Sequence, residues 1–573
     1  MSKRRASRAL LAVARGDAPA DLLLTGGRVF VPGTREWLHT DVAIFDGRIA
    51  GLGARDARET LDVSGLSLTP GFVDAHMHLE STKLWVDEFV RAVLPHGTTA
   101  VAADPHEIAN VFGVPGVTAL AHAASHLPFT FGICAPSCVP ASHLESPAAE
   151  LGPSDVGALL HEHGAIGVAE MMDFPGVIAG AGDVLAKIAT AGDRRVDGHA
   201  PGVLGRQLDA YLAAGVESDH ECTELAEAEE KRRKGMWIFI REGSASRNLR
   251  ALIPTVVQHG TTRVALCTDD REPDTLSDEG HMNDCVRLAV ANGVSVEDAL
   301  VLATSNPADY HGFDHLGWIA PGYQADICCF EDLSSFEPVR VFQAGRLVAA
   351  DGRCLDGVVP SQPAPAFMLS SMHLAHVPSA AELDREPPAG GTARVIGIEE
   401  DSLTSRQLAI DVTASGSGVA RIAVAERHHR TGRVGLGYVH GFGLERGAIA
   451  STVAHDAHNC MVVGALDSTG PADMSAALGR LAEIGGGQVA VLDGQVLGEV
   501  RLPIGGLMSD RTTAEVAAEV TSLAEKVRAL GITIRSPFMQ LSFLGLSVLP
   551  DIRITDLGLV DVTKFEIVDS ELV

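Results

Sequence analysis

Between residues 70 and 319 the chain alternates eight short apolar, β-branched segments with stretches of helical periodicity. All but the third of those segments end in residues that can bind a metal or move a proton. Strict alternation of strand and helix predicts a parallel sheet covered by helices. Eight strands are the number that closes such a sheet into a (β/α)8 barrel of the TIM type. In that arrangement the C-terminal ends of all strands open onto one face, so side chains far apart in sequence converge there. The predicted fold class is therefore α/β, with the barrel spanning residues 70–319.

Taken in order, Leu68–Val73 reads as a buried strand leading into GFVDAHMHLE (71–80), where His76 and His78 stand two apart. On an extended backbone that spacing turns both imidazoles to one side, an arrangement suited to a divalent metal. A lone His-x-His is more often a pair of hydrogen-bonded loop residues, so the later segments carry the argument. GTTAVAADPHE (97–107) ends in Asp104, His106 and Glu107, whereas PFTFGICAPS (128–137) ends in small residues. AIGVAEMMDF (165–174) supplies Glu170, RRVDGHAPG (194–202) supplies His199, and GVESDHE (215–221) supplies His220. MWIFIREGS (236–244) offers Arg241 and Glu242, and TRVALCTDD (262–270) ends in Asp269 and Asp270. On an extended chain those last two would point to opposite sides. Four imidazoles (His76, His78, His199, His220) and two carboxylates (Glu170, Asp269) are too many for one tetrahedral ion. They suffice for two ions that share a bridging carboxylate and a water, whose pKa such a pair lowers.

The flanks have other patterns. DLLLTGGRVFV and DVAIFDGRIAGLG, with an Asp46-Gly47 hairpin signal, resemble in composition the segments Ala325–Phe330 and Val339–Val348. A small β-sandwich domain built from 20–69 and 320–357, on both sides of the barrel, is expected. Residues 1–19 read as a short amphipathic helix, because Arg15 and Asp17 interrupt any signal-peptide core. A Pro-rich linker is expected over 358–390, followed by a C-terminal α/β domain over 391–573. There, RIAVAERH and QVAVLDGQVLGEVRL read as strands, the latter with an Asp493-Gly494 turn. Thr512–Leu530 reads as an amphipathic helix with Val516, Val520, Leu523, Val527 and Leu530 on its apolar face, Thr512 and Glu515 as its cap and Gly531 as its stop. Leu225–Lys234 pairs Glu227–Lys231, Glu229–Arg233 and Glu230–Lys234 at i,i+4 and reads as a solvated outer helix. Ser295 and Asp298 read as a capping box.

Composition excludes some functions. A net charge of −29 argues against nucleic acid as a partner. No apolar run approaches the roughly 18 residues of a membrane span, so no membrane partner and a cytoplasmic location are expected. The nine cysteines form no paired or zinc-knuckle framework and read as buried thiols. No lysine follows a glycine as a P-loop requires. Gly416-x-Gly418 lacks the third glycine of a dinucleotide fingerprint. The H-x-E…P-C-x-x-C signature of one class of zinc deaminases is absent.

FVDAHMH, the strand-end histidines, Asp269 and ATSNPA (303–308) resemble the amidohydrolase superfamily. Within it the chain is similar to the bacterial adenine deaminase family, on motifs spread over nearly its whole length. These are ADPHEIANVFG (103–113), GVAEMMDFPGVI (167–178), DGHAPG (197–202), SDHECT (218–223) and IREGSASRNL (240–249). They continue with CTDDREPDTLSDEGH (267–281), TVAHDAHN (452–459) and SPFMQLSFLGL (536–546). The resemblance implies that adenine and water give hypoxanthine and ammonia at a pair of divalent metals, Mn2+ or Fe2+, with Zn2+ a further option. It implies that His76, His78 and Asp269 hold one ion, that His199 and His220 hold the other, and that Glu170 bridges them. Asp269 would also take a proton from the hydroxide that attacks C6. Mononuclear adenosine deaminases use the Glu of an HAGE motif as general acid. Here His199 is followed by Ala-Pro-Gly, so the acid is sought among His106, Glu107 and Glu221. Asp104 is a further candidate for contacting the substrate. For His455, Asp456, His458 and Asn459 of the C-terminal third, two readings stand. They form a polar network that steadies the fold, or they reach the barrel mouth and contact the purine. A homo-oligomer, a dimer, is expected. A cyclic amide or ureide hydrolase of the same superfamily is the alternative activity, and a catalytically dead scaffold is a third reading.

Overall fold

The computed structural model describes residues 7–398, 404–414, 416–549 and 551–571. Helix Arg8–Arg15 opens it, capped by Ser7 and stopped by Gly16 at φ +83°; the basic start of the predicted N-terminal helix lies outside the described residues. All eight strands expected between 70 and 319 are present. They are β1 (Phe72–Met77), β2 (Thr98–Ala103), β3 (Thr130–Ile133), β4 (Val168–Met171), β5 (Val196–Gly198), β6 (Ser218–Asp219), β7 (Trp237–Arg241) and β8 (Val264–Cys267). They pair in parallel as three ladders, β1–β2–β3, β4–β5 and β6–β7–β8. Single bridges, Ala135 to Val168 and Met77 to Asp269, join β3 to β4 and β8 to β1. One backbone bond, Glu217 N–H to the Val196 carbonyl at 3.0 Å, ties β6 to β5.

The segment predicted as one strand over Leu68–Val73 is two. Ser67–Pro70 pairs with Arg28–Val31 and Ile327–Phe330 in the flanking sheet, and β1 starts after Gly71. A Cβ at Gly71 would lie 2.3 Å from Thr99 Oγ1, so this crossing needs glycine. Flanking segments from both ends form a four-stranded and a seven-stranded sheet. One apolar core joins them, with Leu24, Val42 and Ile49 packed beside Val29, Ile327 and Phe342. The Asp46-Gly47 turn takes positive φ at both positions, +49° and +71°, as a tight hairpin demands.

The Pro-rich span packs against the rest of the chain, with Met368 and Leu383 buried. Beyond it, an eight-stranded mixed sheet carries helices Gly470–Ile484 and Thr513–Val527. The second helix has the predicted capping box of Thr512 and Glu515, and Val516, Val520, Leu523, Val527 and Leu530 are buried. It also packs on helices Val86–Val93 and Pro273–Asp278, and Thr513 N–H donates to Glu88 Oε2 at 3.0 Å. The C-terminal third is thereby seated on the segment that carries the eight strands, and the two share one hydrophobic cluster.

Two helix expectations need correction. Ser295 caps its helix by accepting from Asp298 N–H, but the Asp298 carboxylate pairs with Arg35 at 3.1 Å and does not complete a capping box. Lys231 does make its i,i+4 pair with Glu227, yet it is fully buried and not on a solvated face. Among the described residues no helix is long and apolar enough to cross a membrane. The nine cysteines are free thiols, all but Cys354 buried.

Candidate metal centre

At the C-terminal ends of the strands lies a cavity lined by buried side chains. Six residues named from the sequence, His76, His78, Glu170, His199, His220 and Asp269, come together here, all at most 4% exposed. His76 and His78 bring their Nε2 atoms to 3.2 Å from each other. Asp269 Oδ1 lies 3.4 Å from the first and 3.1 Å from the second. Donor atoms of one ion with bonds of about 2.1 Å stand roughly 3 Å apart, so this triangle has the dimensions of a shared coordination sphere. His78 Nδ1 lies 3.0 Å from the Asp104 carbonyl. As a donor to that carbonyl, Nδ1 holds the proton and leaves the Nε2 lone pair facing the cavity.

Glu170 stands between the histidines. Its Oε1 is 3.4 Å from both His78 Nε2 and His106 Nδ1. Its Oε2 is 2.6 Å from His199 Nδ1 and 3.2 Å from His220 Nε2. Burial opposes ionisation of Glu170, but His199 and His220 outweigh it and hold the carboxyl well below its usual range. Asp269 is likewise held down despite burial, by Arg241 and then by His76 and His78. Arg241 Nη1 donates to Asp269 Oδ2 at 2.8 Å, leaving Oδ1 for the histidine pair.

The candidate proton donors separate. Glu221 lines the cavity, but Arg241 grips both of its oxygens. Glu107 does not line the cavity; its Oε1 lies 3.1 Å from Ser81 Oγ. His106 lines the cavity with Asp104 Oδ2 at 3.2 Å from Nδ1 and Asp456 Oδ1 at 3.6 Å from Nε2, neither approach having hydrogen-bond geometry. Asp104 itself does not line the cavity. Asp270 does, although alternation along an extended chain would have turned it away. Asp269 has φ +56°, so the chain is not extended there and the alternation rule does not apply. The Asp270 carboxylate accepts from Ser81 Oγ.

From the C-terminal third, His455 and Asp456 line the cavity, and Phe543, Leu546 and Leu549 close it with Met172. The Phe543 ring stacks on His455 at 4.7 Å. His458 and Asn459 do not reach the cavity. His458 Nδ1 accepts from Ala454 N–H, and Asn459 accepts from Arg427 N–H while donating to the Ser146 carbonyl. The segment 455–459 thus divides: its first two residues face the site and its last two brace the loop. Sequence reasoning gave no role to Arg241, Ser81 or the apolar roof. Only the unusual Arg-Glu pair at the end of β7 hinted at the first.

A model of the amidohydrolase family matches residues 67–348, and one of the adenine deaminase C-terminal domain matches residues 399–566. Adenine deaminase 2 of Carboxydothermus hydrogenoformans is 43% identical over 98% of this chain and 99% of its own. The adenine deaminase of Desulfatibacillum aliphaticivorans is 44% identical over 98% of each chain. That of Methanothrix thermoacetophila is 42% identical over 97% of this chain and 98% of its own. Among solved structures, an adenosine deaminase from Xanthomonas campestris with bound zinc covers 59% of this chain and 95% of its own, at 17% identity and a TM-score of 0.44. That likeness is too distant to carry an argument.

Proposed function

The chain belongs to the adenine deaminase family of the amidohydrolases, and from that premise we propose that it hydrolyses adenine to hypoxanthine and ammonia at a binuclear metal centre. The observation that carries the binuclear reading is Glu170, whose two oxygens face different histidine partners. His76, His78 and Asp269 would hold one ion, His199 and His220 the second, and Glu170 would bridge. The donor set fits Mn2+ or Fe2+, and Zn2+ is also accommodated. His199 Nδ1 faces Glu170, while His106 and Asp456 keep buried donor or acceptor atoms without hydrogen bonds, as expected around a charge still to be bound.

When bound, such a pair supplies hydroxide near neutral pH by lowering the pKa of water. Asp269, held ionised by Arg241, is the base that receives a proton as the C6–O bond forms. The C6 amino group then takes the proton held by Asp269 and leaves as ammonia, while ring nitrogen N1 must gain a proton of its own. We assign that delivery to His106, because Glu221 is locked by Arg241 and Glu107 lies off the cavity. Phe543, Leu546, Leu549 and Met172 form an apolar roof that excludes bulk water from a planar base. The eight strands are read as one (β/α)8 barrel over 70–319 with a β-sandwich from 20–69 and 320–357, a linker over 358–390 and a C-terminal α/β domain over 391–573. A cytoplasmic homodimer is part of the same reading.

The test is adenine turnover with stoichiometric ammonia release alongside metal analysis. About two ions per chain are expected in fully active protein, and full activity with one ion would overturn the binuclear reading. Turnover of hydantoin-like rings without adenine turnover would favour the ureide hydrolase instead. Strong chelation should abolish activity. A further expected result concerns redox state. Iron-loaded protein should lose activity under a mild oxidant that manganese-loaded protein withstands, because Fe(II) is the more easily oxidised ion. Equal loss in both forms would point to the thiols.

A further inference from the structure

Lys231 is fully buried on helix Leu225–Arg233, the outer helix that follows β6. A buried ammonium is costly unless every proton is matched, and here each has an acceptor. Lys231 Nζ donates to the Ala200 carbonyl at 2.7 Å, to Asp219 Oδ2 at 3.0 Å and to Glu227 Oε1 at 2.7 Å. Ala200 directly follows His199, and Asp219 directly precedes His220. The partners complete the frame. Asp219 Oδ1 accepts from Ala200 N–H at 2.7 Å, and Glu227 Oε1 accepts from Gly202 N–H at 2.8 Å. A single ammonium therefore fastens both turns that carry the second histidine pair to each other and to the outer helix. None of its three bonds reaches the turns that carry His76, His78 or Asp269.

Resting on the binuclear reading above, we infer that Lys231 is a positioning residue for one ion of the pair, setting the affinity of the His199–His220 site without touching substrate or metal. Strand β6 is only two residues long and β5 three, so ladder pairing alone fixes the two turns weakly. Charge-assisted bonds to the turns themselves replace it. Loss of such an outer-layer partner typically weakens metal affinity about 10- to 100-fold.

The experiment is Mn2+ titration of metal-free protein, followed by electron paramagnetic resonance, for the wild type and Lys231→Met. The wild type should bind two ions; fewer would overturn the binuclear reading and with it this inference, whereas the variants test the inference alone. Lys231→Met should bind one ion with unchanged affinity and the other about 10- to 100-fold more weakly. Its activity should recover at high Mn2+, with the half-saturating concentration raised and kcat near that of the wild type. Lys231→Arg, which keeps the charge, should fall between the two. Wild-type affinity for both ions in Lys231→Met would overturn the inference, as would equal weakening of both in step with lowered thermal stability. Should Lys231→Met fail to fold, Glu227→Gln removes one anionic acceptor and leaves the ammonium. A smaller weakening confined to one ion is then expected, and no selective change would overturn the inference.

Discussion

Glu170→Gln is expected to lower the metal content from about two ions per chain towards one and to reduce adenine kcat by well over about 1,000-fold, since in the proposed mechanism the nucleophile depends on the ion pair. The amide is isosteric, so the change removes charge and bridging capacity while keeping shape. In the protein Glu170 is buried with one oxygen towards His78 and His106 and the other towards His199 and His220. An amide presents one acceptor and one donor, so one of those two sides would meet N–H groups where it needs an anion. The side lost should be that of His199 and His220, whose approaches to the carboxylate, 2.6 and 3.2 Å, are the shorter ones. Metal analysis and turnover on the same preparation decide the matter. Two retained ions with kcat within tenfold of the wild type would remove Glu170 from the centre.

Asp269→Asn should behave differently, retaining substantial metal while kcat falls at least about 100-fold, the lower end of the range for losing a general base. Asn is suited to the backbone here, because Asp269 has φ +56° and Asn enters the left-handed region more readily than most residues. Loss of activity would therefore report on the side chain and not on a distorted strand end. Asp269 Oδ1 faces the His76–His78 pair and Oδ2 accepts from Arg241. Asn keeps an oxygen for one of these partners but has little basicity for the proton. Asp270→Asn should be milder, because the Asp270 carboxylate accepts from Ser81 and is not among the six residues assigned as metal ligands. A nearly normal Asp269→Asn beside a dead Asp270→Asn would mean that the two carboxylates have exchanged roles.

The alternation of strands and helices, the His-x-His pair and the placing of Glu170, His199, His220 and Asp269 at strand ends were determined by the sequence alone, because hydrophobic period and strand termination are local properties. The Thr512–Glu515 cap and the Asp493-Gly494 and Asp46-Gly47 turns were legible for the same reason: each is decided within a few residues. What spacing could not encode is which distant groups meet. Glu221, Glu107 and His106 were equal candidates in sequence, and only the fold brings Arg241 across to lock Glu221 while leaving His106 on the cavity. Lys231 carries the i,i+4 signature of a solvated helix and is instead buried behind two histidine turns. Likewise His455 and Asp456, nearly 400 residues from His76, meet the cavity because helix Thr513–Val527 and its neighbours seat the C-terminal sheet there. Such contacts depend on the packing of whole faces against each other. That packing is a property of the assembled core, which no local pattern of residue types specifies.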